Sequence, residues 1–248
     1  MDHERKNQIL QILRSQHHVS VNDLCNRLFV SSATVRRELK ELEESHQIQR
    51  VRGGAYLIEG NAVEDPYAVR EKQNILQKQI IAGQAIGYIR DGMTIFLDSS
   101  STVYILAQMI EGFSNLYVIT NSLKTALCLA SRRGITVMCA GGKPRAGTVS
   151  LVGQTAVQTI RTYNADLAFV SACGFDPERG ASEASEEEAF IKRAYIENAK
   201  AALLLCDSSK MGKSFLSRTA DLREFKAIIT ESQTINKQFS QLCEQQNG

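Results

Sequence analysis

Short apolar segments alternate with helical segments from residue 70 onward, and this alternation limits the possible folds more than any other feature of the chain. The apolar segments lack the polar–apolar alternation of a half-exposed strand, which is typical of strands buried on both faces. We predict strands at Met93–Leu97, Leu116–Ile119, Ile135–Ala140, Leu167–Ser171, Ala202–Cys206 and Ala227–Thr230, and helices at Arg70–Ile89, Thr102–Ile110, Leu123–Ser131 and Glu186–Ala199. The pattern predicts an α/β domain with a doubly wound, mostly parallel sheet.

The N-terminal region has a different pattern, that of three short helices. They are predicted at about 4–14, 20–28 and 32–44, and Ser20 and Ser31 have the hydroxyl side chains of N-cap residues. The tight connection between the second and third helices is typical of a helix-turn-helix. Residues 47–57 then alternate apolar with polar and contain a Gly-Gly pair, which predicts a small β wing.

These patterns divide the chain. We predict a winged helix-turn-helix domain at 1–57 (helix-turn-helix at about 20–39), a linker at 58–66, a larger α/β domain at 67–232 and a C-terminal tail at 233–248 with a short helix.

Composition excludes several classes of protein. No apolar run is long enough to cross a membrane and the N-terminus lacks the core of a signal peptide, so we expect a cytoplasmic protein with six reduced cysteines. All four histidines lie in the first 46 residues, so the larger domain has neither a Ser-His-Asp triad nor a histidine zinc site. We predict no cofactor, no metal and no catalytic residue.

The third helix has the residues that DNA recognition needs. Val35, Leu39 and Leu42 form its inward face, and the outward positions are polar or basic. Arginine pairs bidentately with guanine, threonine contacts phosphate or a thymine methyl, and a helix N-terminus favours phosphate. The candidate DNA-binding residues are Ser20, Ser31, Ser32, Thr34, Arg36, Arg37 and Lys40, with Arg50 and Arg52 on the wing. The alternative is a solvated basic face balanced by the glutamates at 38, 41, 43 and 44.

Polar residues follow several predicted strands of the larger domain, where ligands bind in open α/β sheets. A hydroxyl-rich loop that opens a helix offers N–H groups and a positive dipole end to a phosphate. The candidates are Asp98, Ser99, Ser100, Ser101 and Thr102 after the first strand, Asn121 after the second, Gly141 and Gly142 after the third, and Asp207 and Lys210 after Ala202–Cys206.

The first domain resembles the DeoR family of bacterial transcription regulators. The resemblance rests on Ser20-Val21, Asp23-Leu24, Thr34-Val35-Arg36-Arg37-Glu38-Leu39 and Arg50-Val51-Arg52-Gly53-Gly54-Ala55. Glu38, His46 and Arg52 stand where the family usually has aspartate, glycine and histidine.

The larger domain is similar to the sensor domain of the same family, whose fold resembles ribose-5-phosphate isomerase. The matching segments include Tyr67…Arg70, Lys78…Ile81-Ala82, Leu97-Asp98, Glu187-Glu188-Ala189…Lys192-Arg193 and Asp207-Ser208-Ser209-Lys210. The resemblance implies a sugar-phosphate effector pocket with Arg70, Lys78, Lys192, Asp207 and Lys210 among its polar members. Ser100 stands where the family usually has glycine, which implies a changed effector preference or affinity.

Three functions compete. The main hypothesis is an effector-controlled regulator, a repressor by family habit, that binds a double-stranded operator as a homodimer or homotetramer and is released by a phosphorylated sugar. The second is a sugar-phosphate isomerase fused to a DNA-binding head, for which Asp98 and Asp176 are the available general bases. The third is a structural DNA-binding protein without an effector.

Overall fold

The computed structural model describes residues 2–16, 18–45, 47–51, 53–57 and 64–244. The chain forms two compact units, residues 1–63 and 64–248. His46, Arg52 and residues 58–63 of the expected linker lie outside the described residues.

The first unit is a winged helix-turn-helix, as predicted. Its elements are α1 (Asp2–Gln16), β1 (His18–Ser20), α2 (Val21–Leu28), α3 (Ser32–Glu44), β2 (Ile48–Val51) and β3 (Gly54–Leu57). The strands pair antiparallel in the order β1-β3-β2, so the wing hairpin gains a strand that the sequence analysis missed. An apolar core joins the three helices to the wing through residues such as Leu13, Leu24, Leu39 and Ile48.

The second unit begins with helices and a long parallel sheet. In chain order, the elements are α4 (Tyr67–Arg70), α5 (Ile75–Ala85), β4 (Thr94–Leu97), α6 (Ser101–Met109), β5 (Leu116–Thr120), α7 (Leu123–Ala130), β6 (Ile135–Cys139), β7 (Lys143–Pro144), β8 (Leu151–Val152), α8 (Gln154–Arg161), β9 (Ala165–Val170), β10 (Gly174–Asp176), β11 (Gly180–Glu183), α9 (Glu186–Glu197), β12 (Ala199–Leu205), β13 (Ser217–Ala220), β14 (Phe225–Ile229) and α10 (Gln233–Glu244). Short 3-10 turns lie at Ile86–Tyr88, Ser208–Lys210 and Leu222–Glu224.

The main sheet has six parallel strands in the order β14-β12-β9-β4-β5-β6. Helices α5, α6 and α7 pack on one face around Ile81, Leu106 and Leu129. Helices α8, α9 and α10 pack on the other face around Ile160, Tyr195 and Phe239. Apolar burial on both faces explains why the strands are continuously hydrophobic, and it confirms the doubly wound α/β fold predicted from the sequence.

The single helix predicted at Arg70–Ile89 is wrong, because the chain breaks between α4 and α5. Asn74 lies in the left-handed region with φ 52° and cannot continue a helix. Its side-chain amide donates to Asp207 Oδ1 at 3.0 Å and to Ser209 Oγ at 3.3 Å. The break therefore ties the start of α5 to the loop after β12.

Two small sheets and one helix were also missed. Strands β7 and β8 pair antiparallel, α8 precedes β9, and strands β10, β11 and β13 form the second antiparallel sheet. The strands of this sheet are three or four residues long and rich in small or polar side chains, so they lack the apolar run that marks the main sheet. Among the described residues, no helix is long and apolar enough to cross a membrane.

Candidate DNA-binding surface and anion-binding site

The start of α3 is fixed by its N-cap. Ser31 Oγ accepts from the Thr34 N–H at 3.3 Å and lies 2.9 Å from Thr34 Oγ1. Ser20 caps α2 in the same way, accepting from the Asp23 N–H at 3.0 Å. Ser20 and Ser31 therefore fix the N-terminal ends of α2 and α3.

The exposed face of α3 is the one predicted. Ser32, Arg36, Arg37 and Lys40 are exposed and Thr34 is half-buried, whereas Val35, Leu39 and Leu42 are buried. Arg37 and Lys40 lie in exposed ion pairs with glutamates one turn on, at 4.0 and 3.8 Å. Exposed pairs of this kind contribute little to stability, so they oppose the binding of a phosphate or a base only weakly.

Glu38 does not belong to an exposed acidic face, contrary to the alternative reading of this helix. Its side chain is 1% exposed, and Arg5 Nε of α1 donates to its Oε1 at 2.6 Å. The other carboxylate oxygen, Oε2, is buried without a hydrogen-bond partner among the described residues. Glu38 therefore joins α3 to α1 and fixes the orientation of the helix.

The wing is held against α3 by Arg50 and Glu43. Arg50 Nε donates to Glu43 Oε2 at 2.6 Å and the Arg50 N–H donates to Oε1 at 3.0 Å, and these hydrogen bonds lower the pKa of Glu43. A groove between helix and hairpin is lined by Val21, Arg36, Leu39, Glu43, Arg50, Val51, Gly53 and Gly54. The groove presents Arg36 beside exposed backbone, with Arg50 held in its ion pair with Glu43, and Arg36 suits a phosphate of a DNA strand.

In the second unit, Asp98 organises the carboxyl edge of the sheet. Its side chain is fully buried at the end of β4. Oδ1 accepts from the Ser100 N–H at 2.9 Å, and Oδ2 accepts from the Ser171 N–H at 2.8 Å. Asp98 thereby joins the loop before α6 to the loop after β9.

Lys192 of α9 neutralises two buried carboxylates beneath this edge. Its ammonium lies 2.5 Å from Glu183 Oε1 and 3.4 Å from Asp98 Oδ2, and it donates to the Ser171 carbonyl at 2.8 Å. Burial favours the neutral amine, but the two carboxylates outweigh it and raise the pKa of Lys192 above its ordinary value. The charge of Lys192 is therefore already neutralised by carboxylates of the protein.

The first turn of α6 has free donors. Ser100 caps the helix by accepting from the Val103 N–H at 3.1 Å. Within the described chain, the N–H groups of Ser101 and Thr102 donate no hydrogen bond, and Thr102 Oγ1 is buried without a partner. Ser99 Oγ donates only a long bond, 3.4 Å, to Glu188 Oε2. Unsatisfied donors at a helix N-terminus are the elements of an anion site.

Two lysines lie close to this turn. The Lys78 ammonium and the Ser101 hydroxyl both donate to the carbonyl oxygen of Arg70. Lys210 donates to Ser171 Oγ at 3.2 Å and to the Ala172 carbonyl at 2.6 Å. In the described part of the chain, neither ammonium has a carboxylate within 4.0 Å. Burial, followed by the charge of Lys210, lowers the pKa of Lys78 to about 8.

Asp207 lies next to these lysines in the loop after β12. It is 2% exposed, and its Oδ1 accepts from Asn74 and from Ser209. The hydrogen bonds that the structure describes leave Oδ2 of Asp207 available to a hydroxyl donor.

Arg70 belongs to a second group of charges. It pairs with Glu64 at 2.8 Å, and Arg145 pairs with the same carboxylate at 3.3 Å and with Glu188 at 3.7 Å. Burial, followed by the charge of Glu183, raises the pKa of Glu188 to about 7, although Lys192 acts in the opposite direction. Sequence reasoning missed Glu64, Arg145 and Glu188 as members of the site; the Glu187-Glu188-Ala189 segment was the one signal that pointed to any of them.

Three other predicted residues hold the loops together. Asn121 is fully buried and donates to Ser150 Oγ at 2.9 Å and to the Leu151 carbonyl at 3.1 Å, while its own oxygen accepts from Tyr195. Gly141 and Gly142 both have positive φ, and a Cβ on Gly142 would lie 2.5 Å from the Val152 carbonyl oxygen. Asn121 therefore joins neighbouring loops, and the conformation at Gly142 leaves no room for a side chain.

Glu64, Cys173 and Glu183 are close enough to share a metal ion, with candidate ligand atoms within 4.8 Å of one another. Their charges argue against that use. Lys192 pairs with Glu183, Arg70 and Arg145 pair with Glu64, and burial together with Glu183 raises the pKa of the Cys173 thiol. A divalent cation would be repelled by the cations that already neutralise these groups.

Family comparison assigns both units. Residues 5–61 match the DeoR-like helix-turn-helix domain, and residues 73–232 match the DeoR C-terminal sensor domain. This chain belongs to the DeoR family. It is therefore a DNA-binding transcription regulator with a sensor domain, as the sequence motifs predicted.

Named relatives agree with this assignment. The HTH-type transcriptional regulator YulB of Bacillus subtilis strain 168 is 34% identical, over 92% of this chain and 88% of that protein. The HTH-type transcriptional repressor GlcR of the same strain is 33% identical over 92% and 88%. The glycerol-3-phosphate regulon repressor of Escherichia coli K12 is 29% identical over 92% and 90%.

Solved structures are more distant. Ribose 5-phosphate isomerase A from Methanocaldococcus jannaschii has a TM-score of 0.39 and 17% identity, over 54% of this chain and 53% of that one.

Proposed function

We propose that this DeoR-family regulator is a cytoplasmic repressor of sugar-metabolism genes that a phosphorylated sugar releases from its operator. The exposed basic face of α3 and the Arg36–Arg50 groove would bind the operator. The sensor unit would bind the sugar phosphate at the first turn of α6. Because one head covers a short stretch of DNA, we expect a dimer or tetramer on the operator.

The pair Lys78 and Lys210 is the observation that carries the proposal. In the described part of the chain neither ammonium has a carboxylate within 4.0 Å, and burial, followed by the charge of Lys210, lowers the pKa of Lys78 to about 8, although Asp207 acts in the opposite direction. A phosphate dianion between them and the free N–H groups of Ser101 and Thr102 would satisfy both cations and both donors. Asp207 would accept a sugar hydroxyl beside them.

The site supports binding without catalysis. Asp98, one candidate general base, accepts two backbone N–H groups and faces Lys192 at 3.4 Å. Asp176, the other, accepts the N–H groups of Glu178 and Arg179 in a turn. Both carboxylates are already engaged by backbone N–H donors, and this supports our proposal that the chain is not an isomerase.

Titration calorimetry of the full chain with pentose, hexose and triose phosphates tests this proposal. At least one sugar phosphate should bind, and the matching unphosphorylated sugar should not. Because a phosphate raises the pKa of Lys78 from about 8, binding at pH 8 should take up a fraction of a proton, measured as a buffer-dependent enthalpy. Failure of every phosphate to bind, or turnover of ribose 5-phosphate to ribulose 5-phosphate, would refute the proposal.

A further inference from the structure

Glu64 is the first residue of the sensor unit, and its side chain points into a cluster of buried charges. The side chain is 11% exposed, with one carboxylate oxygen 2.8 Å from Arg70 and the other 3.3 Å from Arg145. Burial would favour the neutral acid, but Arg70, Lys192 and Arg145 outweigh it and lower the pKa of Glu64. The carboxylate is therefore ionised at neutral pH.

Arg70 holds the backbone of this segment as well as the carboxylate. Its Nε donates to the Asp65 carbonyl at 2.9 Å, while its NH2 pairs with Glu64. A guanidinium that binds a carboxylate can bind a phosphate with the same geometry. Arg70 also contributes the carbonyl to which Lys78 and Ser101 donate, so its backbone borders the first turn of α6.

Three cations, Arg70, Arg145 and Lys192, act on Glu64. Lys192 is paired with Glu183, which has a carboxylate oxygen within 4.8 Å of one of Glu64, and Arg145 lies 3.7 Å from Glu188, whose pKa is raised to about 7 by burial and then by Glu183. Among the described residues, Arg70 has no carboxylate other than Glu64 within 4.0 Å. The Arg70 guanidinium would therefore be able to pair with another anion after Glu64 has left.

We propose that Arg70 and Arg145 form a second anion subsite of the effector pocket, that Glu64 fills it in the absence of effector, and that a second anionic group of the effector, besides the phosphate bound at the first turn of α6, displaces Glu64. Glu64 acts as a tethered competitor. It directly follows the residues that connect the sensor to the DNA-binding unit, so its displacement frees the end of that connection. This inference rests on the proposed function, because it adds a subsite and a coupling step to the same pocket.

A docked Glu64 blocks the subsite. The apparent affinity for an anion is therefore the intrinsic affinity multiplied by the fraction of molecules in which Glu64 is undocked. If docking occupies about nine-tenths of the molecules, its removal tightens binding about 10-fold. Glu64→Gln keeps the shape and removes the charge. Glu64→Asp keeps the charge but shortens the reach, so it should give an intermediate affinity.

The test uses the full-length protein with inorganic phosphate and with fructose 1,6-bisphosphate, which carries a second anionic group, measured by titration calorimetry and by hydrogen exchange of peptides that contain residues 64–70. In the parent, saturating ligand should speed exchange in this segment. In Glu64→Gln the exchange should already be fast without ligand, and the affinity should rise about 10-fold. Glu197→Gln is the matched control, since Glu197 pairs with Arg161 at 3.4 Å on the surface, and it should behave like the parent.

Equal affinities and equal exchange in the parent and Glu64→Gln, with ligand binding intact, would overturn this inference and leave the proposed function standing. If neither protein binds either ligand and no other sugar phosphate binds, the proposed function itself fails. If Glu64→Gln does not fold, Glu64→Asp decides, because parent-like affinity and exchange in that variant would contradict a competitor that depends on reach.

Discussion

Lys192→Met should destabilise the sensor unit strongly. The substitution keeps the length of the side chain but removes the cation that lies 2.5 Å from Glu183 and 3.4 Å from Asp98. Those carboxylates are 1% and 0% exposed, and removing one partner of such a buried cluster costs about 3–5 kcal/mol. For a unit of this size, each kcal/mol lowers Tm by about 2–4 °C, so the expected loss is on the order of 10 °C.

Differential scanning calorimetry of the full chain measures the effect, and Lys200→Met is the matched control. Lys200 pairs with Asp166 at 2.7 Å, but its side chain is 79% exposed, so its removal should cost less than about 1 kcal/mol. Equal losses for the two variants would show that the buried cluster does not have the stated charge balance.

The pH dependence of the same measurement separates charge from packing. In the parent, the folded pKa of Lys192 is raised above the ordinary 10.5, so its stabilisation is fully present below that pH and is lost only as pH rises through the folded value. In Lys192→Met this contribution is absent at every pH. The deficit of the variant should therefore stay nearly constant from neutral pH up to 10.5 and shrink at higher pH, where the parent loses the same stabilisation.

Three further predictions concern the two sites. Arg36→Ala and Arg37→Ala should each weaken operator binding by about 1–3 kcal/mol, measured by fluorescence anisotropy. Loss of a base contact should relax sequence specificity, whereas loss of a phosphate contact should make binding less dependent on salt concentration. Parent-like binding by both variants would contradict the docking of α3. Ser100→Gly removes the cap on Val103 and opens the backbone at the α6 turn, so effector affinity in calorimetry should change, and an unchanged value would place the ligand elsewhere. Gly142→Ala should lower Tm measurably, since the new Cβ meets a carbonyl oxygen at 2.5 Å with φ at 102°, and an unchanged Tm would mean that the loop relaxes freely.

The main sheet and the recognition helix were predictable because the hydrophobicity of their residues indicates directly which positions are buried. Continuous apolar runs marked the strands, and the spacing of Val35, Leu39 and Leu42 separated the two faces of α3. N-caps at Ser20 and Ser31 were predictable for the same reason, since capping is a local interaction.

Features that depend on distant contacts were missed. The break at Asn74 follows from an amide that reaches Asp207, 133 residues away in sequence. The sequence alone places Glu38 on the surface, because its partner Arg5 lies 33 residues earlier in the chain. Glu64 and Arg145 likewise form an ion pair only because the fold brings them together. The spacing of charged residues along the sequence does not reveal which of them have a buried partner.

The central claim is that a sugar phosphate bound by the sensor unit controls DNA binding by the head. Lys210→Ala tests it most directly, because within the described chain the Lys210 ammonium donates to the Ser171 hydroxyl and the Ala172 carbonyl and has no carboxylate within 4.0 Å, so its charge is not neutralised by a close partner. An effector shifts the DNA-binding equilibrium only through its different affinities for the two states of the protein.

The decisive measurement is a gel-shift titration of an operator fragment selected from random DNA, with and without the sugar phosphate that binds most tightly in calorimetry. The parent should lose operator affinity when the sugar phosphate is added. Lys210→Ala should bind the operator like the parent and keep that affinity in the presence of the sugar phosphate. A variant that still responds like the parent, or that no longer binds the operator at all, would contradict the account.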